Sequence, residues 1–148
     1  MLSSFRGFSL LKWLTLLLLL AVSCSRRHLP VASPAVADRQ LQAFLSSGTG
    51  KPLKTHGVKP NEVIRTAEKY VGTPHCMGGT TSRCMDCSGL TYVSFAAHRI
   101  ELPRSSQEQA RFGQVIPDRD ALLRGDLVFF IRSYNSRDYI THVGIYLG

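Results

Sequence analysis

The tightest constraint on this chain is a cysteine placed to open a helix and a histidine placed on a strand. Cys87 lies in the run Asp86-Cys87-Ser88-Gly89-Leu90. Asp86 has the character of an N-cap. The residues from Cys87 to about His98 suit a helix with Leu90, Val93 and Ala97 as its buried stripe. His142 lies in Thr141-His142-Val143-Gly144-Ile145-Tyr146, inside a strand predicted over 140–147. Alternation puts Val143, Ile145 and Leu147 on one face, and His142, Gly144 and Tyr146 on the other. Gly144 leaves room beside the imidazole, and the start of the Cys87 helix is its natural neighbour. A helix N-terminus and a nearby imidazole are the two usual devices that favour a thiolate. The pair therefore points to cysteine-based acyl transfer, as in a hydrolase or a transferase.

The first two dozen residues stand apart. Arg6 and Lys12 precede a mostly leucine run over 14–21, followed by Ala21-Val22-Ser23-Cys24. The apolar stretch is shorter than the roughly 20 residues a spanning helix needs. It reads as a secretory signal peptide over 1–23. Small residues just before Cys24 resemble a bacterial lipoprotein signal. That resemblance implies lipid attachment at Cys24, with palmitate among the acyl groups. It also implies a membrane anchor in the cell envelope, at the outer membrane facing the periplasm. An ordinary cleaved signal with an incidental cysteine is the alternative.

The formal charge is +8 over 148 residues. Two of those charges belong to the leader. Residues 24–60 hold six basic residues and one acid, while residues 61–148 hold ten basic and nine acidic ones. The basicity thus belongs to the leader and to a stretch expected to be a flexible linker, rich in proline and small polar residues. Nucleic-acid binding would need a basic face on the domain and is set aside. A basic tether suits anionic lipid or anionic wall polymer, or is merely soluble. Asp38 to Leu45 could add a short helical turn or two.

The domain is expected over 61–148. Val63, Ala67, Tyr70 and Val71 recur at helical spacing behind Pro60, and Gly72 suits the stop. Ser105 and Glu108 have capping-box spacing for a short helix ended by Gly113. Leu127 to Ile131 reads as a strand, with a polar turn from Arg132 to Asp138.

The ordered blocks Gly72-Thr73-Pro74, Gly78-Gly79, Asp86-Cys87-Ser88-Gly89-Leu90, Leu102-Pro103-Arg104-Ser105-Ser106, Gly125-Asp126-Leu127-Val128-Phe129-Phe130 and His142-Val143-Gly144-Ile145-Tyr146 resemble the NlpC family of cell-wall cysteine peptidases. The resemblance implies a papain-like α+β fold, with helices packed on an antiparallel sheet. It also implies cleavage of peptidoglycan stem peptides, of the γ-D-glutamyl-diaminopimelate type, by an acyl-enzyme route. Cys87 matches the nucleophile and His142 the general base. The chemistry requires no cofactor, and a monomer is expected.

Two departures matter. The family usually has tyrosine where this chain has His75, so His75 is a candidate donor for oxyanion stabilisation or substrate positioning, or simply an exposed loop residue. The family's third polar residue lies about a dozen residues beyond the histidine, whereas the sequence ends at Gly148. The chain is therefore expected to be a truncated form with an incomplete sheet. Loss of the orienting group in a serine triad costs about 10⁴ in turnover. The alternative function is a catalytically inactive envelope lipoprotein or wall-binding remnant. An acyltransferase or amidase of the same fold is a third class.

Cys76 and Cys84 raise further alternatives. A Cys76–Cys84 bridge would staple the loop and leave Cys87 free. A Cys84–Cys87 bridge would block the nucleophile. A zinc site from His75, Cys76, Cys84 and Cys87 lacks a second paired-ligand arm.

Overall fold

The computed structural model describes residues 34–148. The signal-like segment and Cys24 lie outside the described residues. Helix α1 spans Pro34–Ser46 and α2 spans Pro60–Glu68. A two-residue hairpin follows, β1 (Thr80–Thr81) and β2 (Cys84–Met85). Helix α3 spans Cys87–Ala96 and α4 spans Ser106–Gln109. The chain ends in an antiparallel pair, β3 (Leu127–Ile131) with β4 (Ile140–Ile145). Helix α3 packs between α2 and β4, and α4 also rests on β4. The architecture is α+β.

Local chemistry explains most boundaries. Pro60 opens α2, where its missing N–H costs nothing. Asp86 caps α3 by accepting from the Gly89 amide. Ser105 caps α4 by accepting from the Glu108 amide at 3.3 Å. The apolar core is small: Val63, Phe95, Ile100 and Leu102 are buried, with Leu53, Val58, Phe112 and Leu127 packed against them.

The buried face of α3 differs from the expected Leu90, Val93 and Ala97 stripe. Ser88, Gly89, Thr91, Ser94 and Phe95 are the buried residues. Ala97 is exposed, and Leu90 and Val93 are only half-buried. The reason is a polar neighbour. Gln109, fully buried, donates to the Ser88 carbonyl at 3.0 Å and the Pro103 carbonyl at 2.8 Å. The Thr91 hydroxyl reaches its Oε1 at 2.7 Å. Small hydroxyl side chains let α3 come close and leave no buried amide atom of Gln109 unpaired.

The stretch expected to be a flexible linker is structured from Pro34 onward. Phe44 is buried against the Tyr139 ring at 5.5 Å, with the Arg111 guanidinium 5.1 Å over its face. Lys51 pairs with the end of the α4 segment: its amide donates to the Arg111 carbonyl, and its carbonyl accepts from Gly113. Sequence composition hid this because the seat is built by residues distant in sequence: Tyr139, Arg132, which donates to Gln40, and Arg111, which also donates to Ser47 and Gly48.

A cavity of about 1010 Å³ among the described residues is lined mainly by apolar side chains. It lies between α1, the core and β3, lined among others by Phe44, Val63, Phe95 and Phe129. Neither Cys87 nor His142 lines it, so this cavity does not mark the chemistry.

Phe44→Ala should release α1. Large-to-small changes at buried aromatics cost about 3 kcal/mol or more. The expected result is a lower denaturation midpoint and fast amide exchange over 34–46, with α3 remaining protected.

Candidate active site

Cys87 is the first residue of α3 and a free thiol, half-buried. Its amide belongs to the first turn, where no intrahelical acceptor exists. The residue that places it is Asp86, whose side chain is buried. One carboxylate oxygen accepts from the Gly89 amide at 2.6 Å and the Ser88 hydroxyl at 3.2 Å. The other accepts from the Gly78 amide at 2.6 Å and from Arg104 at 2.8 Å. Arg104 also donates to the Gly79 carbonyl at 3.0 Å and the Ser88 hydroxyl at 2.9 Å. Loop, helix start and the segment before α4 thus converge on one carboxylate. Burial works against its charge. The Arg104 hydrogen bond, the Gly89 and Gly78 amides and the Arg104 charge outweigh that and hold the carboxyl below its ordinary value.

The glycines make this convergence possible. A Cβ on Gly89 would stand 2.1 Å from the Gly79 carbonyl oxygen. A Cβ on Gly79 would stand 2.5 Å from the Cys76 sulfur and from the Cys84 carbonyl oxygen. Only hydrogen fits at either position.

Cys76 and Cys84 form a disulfide with Cα atoms 5.5 Å apart. This bridge staples the loop, leaves Cys87 unpaired, and removes two ligands from the zinc alternative. His75 sits in the same loop, in a backbone bridge to Met85, and its side chain is exposed.

His142 lies on β4, which packs against α3. No hydrogen bond joins it to Cys87 among the described residues. Its ring is exposed and tilts against Phe130, centroids 5.7 Å apart. A bulge sets its direction. Phe130 pairs with His142, but Ile131 pairs with Ile140, so Thr141 is the extra residue. Ile140 and Thr141 are consequently both buried while His142 faces out. The Thr141 hydroxyl accepts from the Ser133 amide at 2.8 Å and lies 3.3 Å from the Phe130 carbonyl. The sequence motifs contained Arg104 without suggesting its role, and nothing in the pattern disclosed the bulge.

A thiol at a capped helix start, beside a strand that presents an imidazole, is the layout of a cysteine-based acyl-transfer domain. The comparisons agree. Residues 72–148 match the NlpC/P60 family, and the chain belongs to that family. It is 43% identical over 117 residues to the bifunctional muramidase/DL-endopeptidase CwlT of Bacillus subtilis, covering 78% of this chain and 35% of that protein. It is 34% identical over 88 residues to a gamma-D-glutamyl-L-lysine dipeptidyl-peptidase of Bacillus cereus, covering 60% of this chain and 26% of that one. A solved Staphylococcus aureus structure, described as similar to lipoprotein and of the NLP/P60 family, superposes with TM-score 0.56 at 37% identity, covering 60% of this chain and 30% of that one. The chain thus spans about a third of the length of these relatives.

Two predictions follow from the geometry. A carboxyl held below its ordinary value in the fold stabilises at pH above its unfolded pKa, near 4, and that contribution is lost as pH falls through the folded value. Denaturant midpoints should therefore drop on acidification below about pH 5. Asp86→Asn should be less stable at pH 7 and show a flatter acid limb. Separately, Thr141→Val removes the acceptor for the Ser133 amide and loosens the bulge. A misdirected His142 should lower kcat by about 10-fold or more, with Thr141→Ser close to wild type.

Proposed function

We propose that this chain is a cysteine endopeptidase that hydrolyses stem-peptide amide bonds of peptidoglycan, of the γ-D-glutamyl-diaminopimelate type. The observation that carries the reading is Cys87, free and placed at the start of α3 by the Asp86 clamp, on a helix packed against the strand bearing His142. The names of the two sequence relatives, a DL-endopeptidase and a γ-D-glutamyl-L-lysine dipeptidyl-peptidase, support the substrate class.

The mechanism is acyl transfer. The Cys87 thiolate adds to the amide carbon, and the carbonyl π pair moves to oxygen. Collapse of the tetrahedral intermediate breaks the C–N bond, and His142 as imidazolium protonates the departing amine. Water then attacks the thioester with His142 as base, releasing the acid and restoring the thiol. The Cys87 amide, free of any intrahelical acceptor, serves as one oxyanion donor. Catalytic hydrogen bonds in empty sites are commonly long, and the Cys87–His142 contact closes when substrate binds.

The proposal extends to location. Lipid attachment at Cys24 would hold the domain at the envelope membrane, facing the periplasm, and the domain acts as a monomer. The leader motif, from Ala21 to Cys24, supports this reading.

Muropeptide mass spectrometry tests the activity. The full chain in detergent should release new stem peptides from purified peptidoglycan, and Cys87→Ala should release none. Identical profiles from the two would replace the enzyme with the inactive envelope protein. Palmitate labelling that persists in Cys24→Ser would sink the anchor.

A further inference from the structure

One short stretch, residues 104–109, grips both halves of the site. Arg104 and Gln109 hold the nucleophile helix. Arg104 donates to the Asp86 carboxylate at 2.8 Å and the Ser88 hydroxyl at 2.9 Å, and Gln109 donates to the Ser88 carbonyl at 3.0 Å. Ser106 and Gln107, at the start of α4, hold the histidine strand. The Gln107 Oε1 accepts from the Ile140 amide at 2.8 Å, and the Ser106 hydroxyl donates to the Ile140 carbonyl at 3.4 Å. Both backbone groups of the first residue of β4 are therefore engaged by α4.

Ile140 stands two residues before His142, roughly 7 Å along a strand. It also opens the bulge: Ile140 pairs with Ile131, Thr141 is extra, and His142 pairs with Phe130. A bulge leaves one residue out of the ladder, so an outside contact has to settle where the strand begins. A slip of one residue would turn the imidazole to the other face. The Thr141 hydroxyl ties the bulge to Ser133, but that bond lies within the β3–β4 hairpin and travels with it. The Gln107 bond comes from outside the hairpin. It refers β4 to the same stretch of chain that fixes the start of α3.

We propose that Gln107 is a positioning residue for the acyl-transfer reaction: by holding the Ile140 amide, it sets where β4 delivers the His142 imidazole relative to Cys87. This rests on the acyl-transfer reading of Cys87 and His142 but not on the peptidoglycan substrate. Gln107 acts through the strand and not on the reacting atoms. Its amide oxygen is a neutral acceptor, so it fixes the backbone without adding charge beside the imidazole.

Deacylation isolates the step in which His142 works as base. p-Nitrophenyl acetate acetylates Cys87: the sulfur–carbon bond forms, the ester C–O bond breaks and nitrophenolate leaves. Water then adds to the thioester carbon and gives its proton to His142. The C–S bond breaks, acetate leaves, and the thiol is restored. After removal of excess reagent, loss of the acetyl group from the Cys87 peptide would be followed by mass spectrometry, using the full chain in detergent.

Gln107→Met removes the acceptor at similar size and should slow the loss by about 10-fold or more. Gln107→Glu keeps the acceptor and should deacylate close to the wild-type rate. In a His142→Ala background, already slow, Gln107→Met should add no further slowing, because the glutamine acts through the imidazole. Wild-type deacylation in Gln107→Met would overturn the proposal. So would equal slowing in Gln107→Glu. Slowing by Gln107→Met that adds in full to that of His142→Ala would assign Gln107 to folding and overturn it too. If His142→Ala itself deacylates like wild type, the acyl-transfer reading of the histidine fails, and the positioning role fails with it.

Discussion

The Asp86 carboxylate is the point on which the site depends. It is buried, and it receives two backbone amides, a hydroxyl and a guanidinium. A buried carboxylate left with fewer partners would take up a proton or open the loop. The four donors come from three pieces of chain: Gly78 from the loop, Ser88 and Gly89 from the helix, Arg104 from the segment before α4. The charge on one side chain therefore fixes where Cys87 starts its helix. Arg104 does not merely neutralise. Its planar fork spans Asp86, Gly79 and Ser88 at once, which a lysine could not do.

A second polar centre sits one helical turn deeper. Gln109 and Thr91 satisfy each other and the Ser88 and Pro103 carbonyls with no exposed surface. Such a network has few alternative packings, because any shift of α3 leaves a buried amide unpaired. The domain has only a small apolar core, so these directional contacts carry the register between α3 and α4. The same helix that loses apolar burial on this side gains an exact seat for its first residue.

The parts of the fold governed by local rules were legible in the sequence. Asp86 and Ser105 cap their helices through contacts spanning three residues, and Leu127–Ile131 and the strand after it announce themselves by composition. The residues that needed distant partners were not. The polar face of α3 looked like the solvent side, because nothing in 88–94 reveals that Gln109 waits opposite. Phe44 lay in a stretch whose composition suggested a tether, although Tyr139 and Arg111 give it a pocket. The Thr141 bulge depends on a pairing register set ten residues away in β3. Cys87, His142 and Cys76–Cys84 were all named from sequence, yet the order among the thiols became definite only when the loop geometry joined the first two cysteines.

That loop explains why a disulfide belongs here. From Thr73 to Met85 the chain buries a single large apolar side chain, Met85. Hydrophobic burial alone cannot hold a dozen residues whose ordering costs about 1 kcal/mol or more each. Covalent closure of the eight-residue separation between Cys76 and Cys84 removes about 2–3 kcal/mol of that cost from the folded state by restricting the unfolded one. The bridge packs on Gly79, the Gly79 carbonyl lies against Gly89, and Arg104 ties the same carbonyl to Asp86. The staple, the ion pair and the two glycines act in series, so a slack loop at any one of them would carry through to the Gly78 amide. With that amide withdrawn, Asp86 would lose a partner and Cys87 its fixed helix start.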